Sequence, residues 1–215
     1  MIDLAISAIF PPLLVIFLIY RNDLYEKEPH DLIVKTFLLG CLSVIPMILL
    51  EIVTTAFIKN TFLHSLFGIA LVEEGVKYVS LYFYNYKNED FNEPYDGIIY
   101  SVSLTMGFAL IENLMYVFGS PDGEVISFSR MLTAIPLHAC CGIIMGYYLG
   151  KSKMQNNNNL NFALALILPV MIHCFYNYFI FIDIFILTLV VLAIAIYYSI
   201  KAIKKHQQNS PFKNS

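Results

Sequence analysis

Apolar residues recur along this chain in runs of about 20, separated by short polar segments, and that rhythm predicts membrane-spanning helices. The runs cover residues 4–20, 32–58, 62–86, 95–118, 130–150, 160–181 and 184–200. Between them lie "RNDLYEKEPHD", "KNT", "KNEDFNEP", "GSPDGEVISFS", "KSKMQNNNN" and a tight turn near Asp183. The pattern predicts an all-α, polytopic membrane helix bundle of about seven transmembrane helices. The break at Asp183 is the least marked, and residues 160–200 also admit one span followed by a re-entrant segment. One transmembrane domain, 1–203, and a short polar tail, 204–215, account for the whole length.

Composition agrees with the pattern. Hydrophobic residues make up 58% of the chain and charged ones 13%, with a mean hydropathy of +0.67. A soluble domain carries roughly 25% charge, so a sizeable soluble unit is excluded. The first ten residues, MIDLAISAIF, hold no basic residue and no small-residue cleavage pattern, which predicts a retained first span. A net charge of −3 gives no reason to expect a nucleic-acid partner. Cys41, Cys140, Cys141 and Cys174 all fall in predicted spans without CxxC spacing, so they read as small packing residues.

Charge sorting gives an orientation. With the N-terminus outside, ten basic residues fall in cytoplasmic segments: Arg21, Lys27, Lys35, Lys87, Lys151, Lys153, Lys201, Lys204, Lys205 and Lys213. The exterior segments hold two, Lys59 and Arg130. The positive-inside rule then puts the C-terminus in the cytoplasm of a multi-pass cell-membrane protein.

Against this background the ionisable residues inside the spans need a reason, because each costs about 2.5–3.5 kcal/mol near a helix centre. The third span holds Glu73, Glu74 and Lys77. Glu73 and Lys77 are four apart and can pair, while Glu74 projects about 100° away and is expected to face a cavity. The fourth span carries Glu112 and Asn113, the fifth His138, and the sixth His173 with Asn177 one turn later. Pro136 and Pro169 are expected to open helix hydrogen bonds beside the two histidines. A structural ion pair explains Glu73 and Lys77 equally well when they are taken alone, and a lone histidine in a span is more often a packing group. Glu51 has no surrounding motif and reads as structural. Yet Glu112, His138 and His173 all lie six to nine residues from the expected exterior ends, with Glu73 and Glu74 eleven to twelve residues in. These depths are roughly 10–13 Å and 17 Å. Four helices therefore bring carboxylates and imidazoles to similar depth, which suits hydrolysis: a water made nucleophilic, an oxyanion donor and a proton for the leaving amine.

The motifs Glu-Glu-x-x-Lys at 73–77, Phe-x-x-x-Glu-Asn at 108–113, Pro-x-His at 136–138 and His-x-x-x-Asn at 173–177 resemble those of the PrsW intramembrane proteases. That family is similar to the group of CAAX prenyl endopeptidases and bacteriocin-immunity proteases. The stretch Asp23-Leu24-Tyr25-Glu26-Lys27-Glu28-Pro29 resembles the charged segment after the first span in PrsW. The resemblance implies site-1 proteolysis of a membrane-anchored anti-sigma factor near its exterior side. It implies Glu73 and Glu74 as catalytic carboxylates and His138 and His173 as their partners, with Lys77, Glu112, Asn113 and Asn177 in support. Where the CAAX endopeptidases end their second motif in His, this chain has Glu112, so no catalytic histidine transfers to that position.

Two mechanisms stay open on the residues alone: water activated by glutamate, with no cofactor assigned, and a metal-dependent version. The ligand types would suit zinc, although HExxH is absent. A proton-coupled transporter and a non-catalytic membrane receptor are the competing classes; the absence of paired hydrophobic halves weighs against the first.

Overall fold

The computed structural model describes residues 2–155 and 157–214; Asn156, the first position of the Asn run, and the two terminal residues lie outside. Every regular element among the described residues is helical. In chain order they are α1 (Ile2–Arg21), α2 (His30–Phe57), α3 (Thr61–Leu63), a π-helical segment (His64–Ala70), α4 (Leu71–Tyr84) and α5 (Pro94–Phe118). Then come α6 (Gly123–Leu132), α7 (Ala134–Met154), α8 (Asn159–Phe181), α9 (Phe185–Gln208) and a 3-10 turn (Pro211–Asn214).

Among the described residues, six helical segments are long and apolar enough to cross a membrane. The third expected span, 62–86, is helical over most of its length, but it is divided into α3, the π segment and α4. Two further expectations need correction. "GSPDGEVISFS" is not simply a loop, since most of it forms α6, an amphipathic helix that exposes Val125 and Phe128. Pro136 does not open a helix in mid-course. It sits in the first turn of α7, where its missing N–H has no partner to lose. Pro169, by contrast, lies inside α8, one turn before His173. Residues 159–208 form two helices, joined through Asp183 at φ 57°.

The core is built around α5. Its residues from Pro94 to Ala109 are buried without interruption, and α1, α2 and α7 pack around it. Small residues make that closeness possible. A Cβ on Gly146 of α7 would stand 2.1 Å from the Gly97 carbonyl oxygen of α5, and one on Gly107 would stand 2.0 Å from the Phe37 carbonyl of α2. The outward faces of α1, α2 and α9 expose Phe10, Phe17, Leu42, Leu49, Ile186 and Tyr198, as lipid contact requires. The C-terminal end folds back on the bundle. His206 stacks on Tyr147 at 4.3 Å, and the Ser210 hydroxyl donates to Glu93.

Candidate active site

The π segment sets the register of α4. Leu71 N–H reaches back to the Leu66 carbonyl, five residues earlier, so one residue more than an α-helix needs is spent before α4 begins. Glu73 and Glu74 occupy the first turn of α4, and both are buried.

The Lys77 ammonium sits at the centre of the group. It lies 2.8 Å from Glu74 Oε1, 3.3 Å from Glu73 Oε2 and 3.2 Å from His138 Nδ1, with the Phe108 ring 4.1 Å away. The expected Glu73–Lys77 pair is present, but Glu74 is the closer partner. The expected orientation is also reversed. Glu73 lines the cavity, while Glu74 is fully buried, with Oε1 shared between Lys77 and His173 Nδ1 at 2.9 Å. Its Oε2 meets no donor.

The two imidazoles are held differently. Lys77 has only protons to give, so His138 Nδ1 accepts, and its Nε2–H donates to Glu112 Oε2 at 2.8 Å. Both His138 nitrogens are thus engaged. His173 uses Nδ1 toward Glu74 and faces the cavity with the rest of its ring, which stands perpendicular to His138 at 5.2 Å between centroids.

Arg130, in the last turn of α6, was not among the residues singled out in the sequence. Its Nη2 pairs with Glu112 Oε2 at 3.0 Å, its Nε donates to Asn113 Oδ1 at 2.9 Å, and its guanidinium lies 4.2 Å from the Tyr116 ring. The available signal was its rarity, as one of two basic residues in the expected exterior segments. Asn113 is thereby turned to Arg130 and to the Ala8 carbonyl, away from the carboxylates. Asn177 lines the same cavity, and Glu51 on α2 is near enough to Glu73 and Glu112 to feel their charge.

The cavity has a volume of about 540 Å³. Glu73, Glu112, His138 and His173 form its polar side, and Ile126, Leu137 and Phe181 belong to its apolar lining. A peptide segment entering it would meet a carboxylate, an imidazole and fixed positive charge in a poorly hydrated setting, the conditions for acyl hydrolysis.

One ligand atom from each of Glu73, Glu74, His138 and His173 lies within 4.8 Å of the others. Two carboxylates and two imidazoles are donors that zinc accepts. In the arrangement seen, however, Lys77 touches three of the four, so an ion and this ammonium exclude one another. The donor types fit a metal; the arrangement fits one only after Lys77 withdraws.

Residues 28–201 match the model of a family described as PrsW family intramembrane metalloprotease. "Protease PrsW" of Clostridioides difficile is 39% identical over 165 residues, covering 73% of this chain and 68% of its own. The protein of the same name from Oceanobacillus iheyensis is 38% identical over 159 residues, 73% of each chain. That of Geobacillus kaustophilus is 35% identical over 155 residues, 71% of this chain and 68% of its own. No solved structure matches the chain.

Proposed function

Because the chain belongs to the PrsW family of intramembrane proteases and is therefore a multi-pass membrane peptidase, we propose that it cuts a single-span anti-sigma factor near the exterior face of the membrane. The observation that carries the reading is the buried set of Glu73, Glu74, Lys77, His138 and His173 beside a cavity with an apolar wall. The wall suits a helical substrate segment, and the polar side suits its carbonyl.

Glu73 faces the cavity and takes the proton of an attacking water. The water oxygen bonds to the scissile carbonyl carbon, and the proton passes to the departing amine as the C–N bond breaks. Glu74 holds His173 by Nδ1, so that a protonated His173 donates from Nε2 to the developing oxyanion. Among the groups in direct contact, three carboxylates (Glu73, Glu74, Glu112) face two permanent cations, Lys77 and Arg130. A proton on His173 brings the set to neutrality. His138 and Glu112 position Lys77, and Asn177 is placed to hold the substrate backbone.

The four-donor set supports a second reading, in which Glu73, Glu74, His138 and His173 hold zinc in place of Lys77. A bound zinc would polarise the carbonyl or lower the pKa of the attacking water.

The test is cleavage of a co-expressed single-span anti-sigma substrate. Glu73→Gln and Glu74→Gln should each abolish the cut while the protein accumulates normally, since a neutral isostere serves a purely structural carboxylate. Continued cleavage by both variants would overturn the assignment.

A further inference from the structure

A second group of buried acids lies at the other end of the bundle. Asp96 is in the first turn of α5, and 16 residues, roughly 24 Å of helix, separate it from Glu112. Asp96 Oδ2 accepts from the backbone N–H groups of Asn92 and Glu93, at 2.8 and 2.7 Å. Glu93 Oε2 accepts from Ser210, and Glu28 Oε2 accepts from the Tyr100 hydroxyl. All three carboxyls are buried.

A different observation points to a ligand. Asp23, from the connector between α1 and α2, is 2% exposed, and neither of its carboxylate oxygens meets a donor. It stands beside Glu93 and near Asp96. Oε1 of Glu93, Oδ1 of Asp96 and Oε2 of Glu26 are equally without donors. The nearby cations do not answer them. Lys27 gives its protons to the Tyr20 and Asp23 carbonyls, and Lys153 gives one to the Asn88 carbonyl at 2.8 Å. Five buried carboxylate oxygens are left without a donor, and each needs a shared proton or a bound ion to offset the cost of burying an unpaired charge.

We infer that Asp23, Glu93 and Asp96, with Glu26 beside them, bind a hard divalent cation, Ca²⁺ or Mg²⁺. The free donors of Asp23, Glu26, Glu93 and Asp96 are all oxygen, the set suited to these ions. The ion would tie the α1–α2 connector to the start of α5, and through Ser210 to the C-terminal turn. It is distinct from the Glu73 group in position and in ligand chemistry, and does not depend on how peptide hydrolysis proceeds.

The experiment uses the full-length protein in detergent micelles with Tb³⁺ as the probe. The chain has no tryptophan, and Tyr100, bonded to Glu28, is placed to sensitise the ion. Tyrosine excitation should give saturable Tb³⁺ emission that Ca²⁺ displaces. Glu74→Gln should retain it, whereas Asp23→Asn and Glu93→Gln should weaken binding at least tenfold. Should both variants fail to fold, the wild-type melting temperature decides: a rise with CaCl₂ or MgCl₂ at constant ionic strength supports the site. No displaceable emission in wild type, emission unchanged in Asp23→Asn, or loss in Glu74→Gln instead would each overturn it. So would a melting temperature indifferent to both ions, which would mean that the acids share protons only.

Discussion

Arg130 Nη2 lies 3.0 Å from Glu112 Oε2, the same oxygen that receives His138 Nε2–H at 2.8 Å. One carboxylate oxygen thus joins the amphipathic helix α6 to the imidazole of α7. His138 in turn accepts from Lys77, so a chain of contacts runs from Arg130 to Glu73 and Glu74.

Arg130 should therefore act as a positioning residue. Arg130→Gln is expected to lower turnover about 10–100-fold, the usual cost of losing an outer partner, with a smaller effect on KM. Arg130→Lys keeps the charge but loses the forked contact to Glu112 and Asn113, and should recover part of the rate. Cleavage kinetics on a purified single-span substrate measure this. Equal loss in both variants, with a matching fall in melting temperature, would point to folding instead.

The two histidines should differ. His173→Gln is expected to cost about 100–1,000-fold in turnover, as removal of an oxyanion donor does, and His138→Gln less, since its nitrogens serve neighbours. Metal analysis of wild type should find no equimolar zinc, because Lys77 fills the place. A firmly held equimolar metal in wild type that both variants lose would favour the zinc reading. Lys77→Met should then bind zinc more tightly than wild type.

Stability should fall as pH rises from about 4 to 7 when divalent cations are chelated. Burial, then the charge of Glu93, pushes Asp23 up to about 7, and burial pushes Glu28 up to about 7. The folded state therefore keeps protons that the unfolded chain releases near pH 4. The stability these protons give is complete below that pH, declines as pH rises, and is gone above about 7. Melting temperature against pH measures it, at about 2–4 °C per kcal/mol for a chain of this size. Asp23→Asn should flatten the curve; a rise with pH would contradict the assignment.

Topology is testable by cysteine labelling from outside the cell. Ser120→Cys should react and Asn157→Cys should not, as the ten-to-two sorting of basic residues requires. The reverse pattern would move the Glu73 group to the cytoplasmic half.

The sequence made the helices legible because apolar length is what lipid demands, and it made the Glu73 group legible because charge in a span is costly. Packing detail was hidden. Whether Glu73 or Glu74 meets the cavity depends on helix phase, which the π segment alters without a marked sequence signal. Arg130 was obscured by its surroundings, since a basic residue where a polar connector meets a span is ordinary until the connector folds into α6 and turns toward Glu112. The acids near Asp23 fall mostly in the polar connectors of the sequence, and only the folding-back of Ser210 and the start of α5 enclose them.

The wide turn at His64–Ala70 makes chain length, more than residue identity, the fragile quantity upstream of Glu73. Deleting one residue there would let an ordinary helix form and swing Glu73, Glu74 and Lys77 about 100° around its axis. Substitutions that keep the count would leave their bearing unchanged. Across related chains, this segment should vary at its outward positions while rejecting insertions and deletions, a frame-keeping constraint added to the packing of Ser65, Gly68 and Ala70.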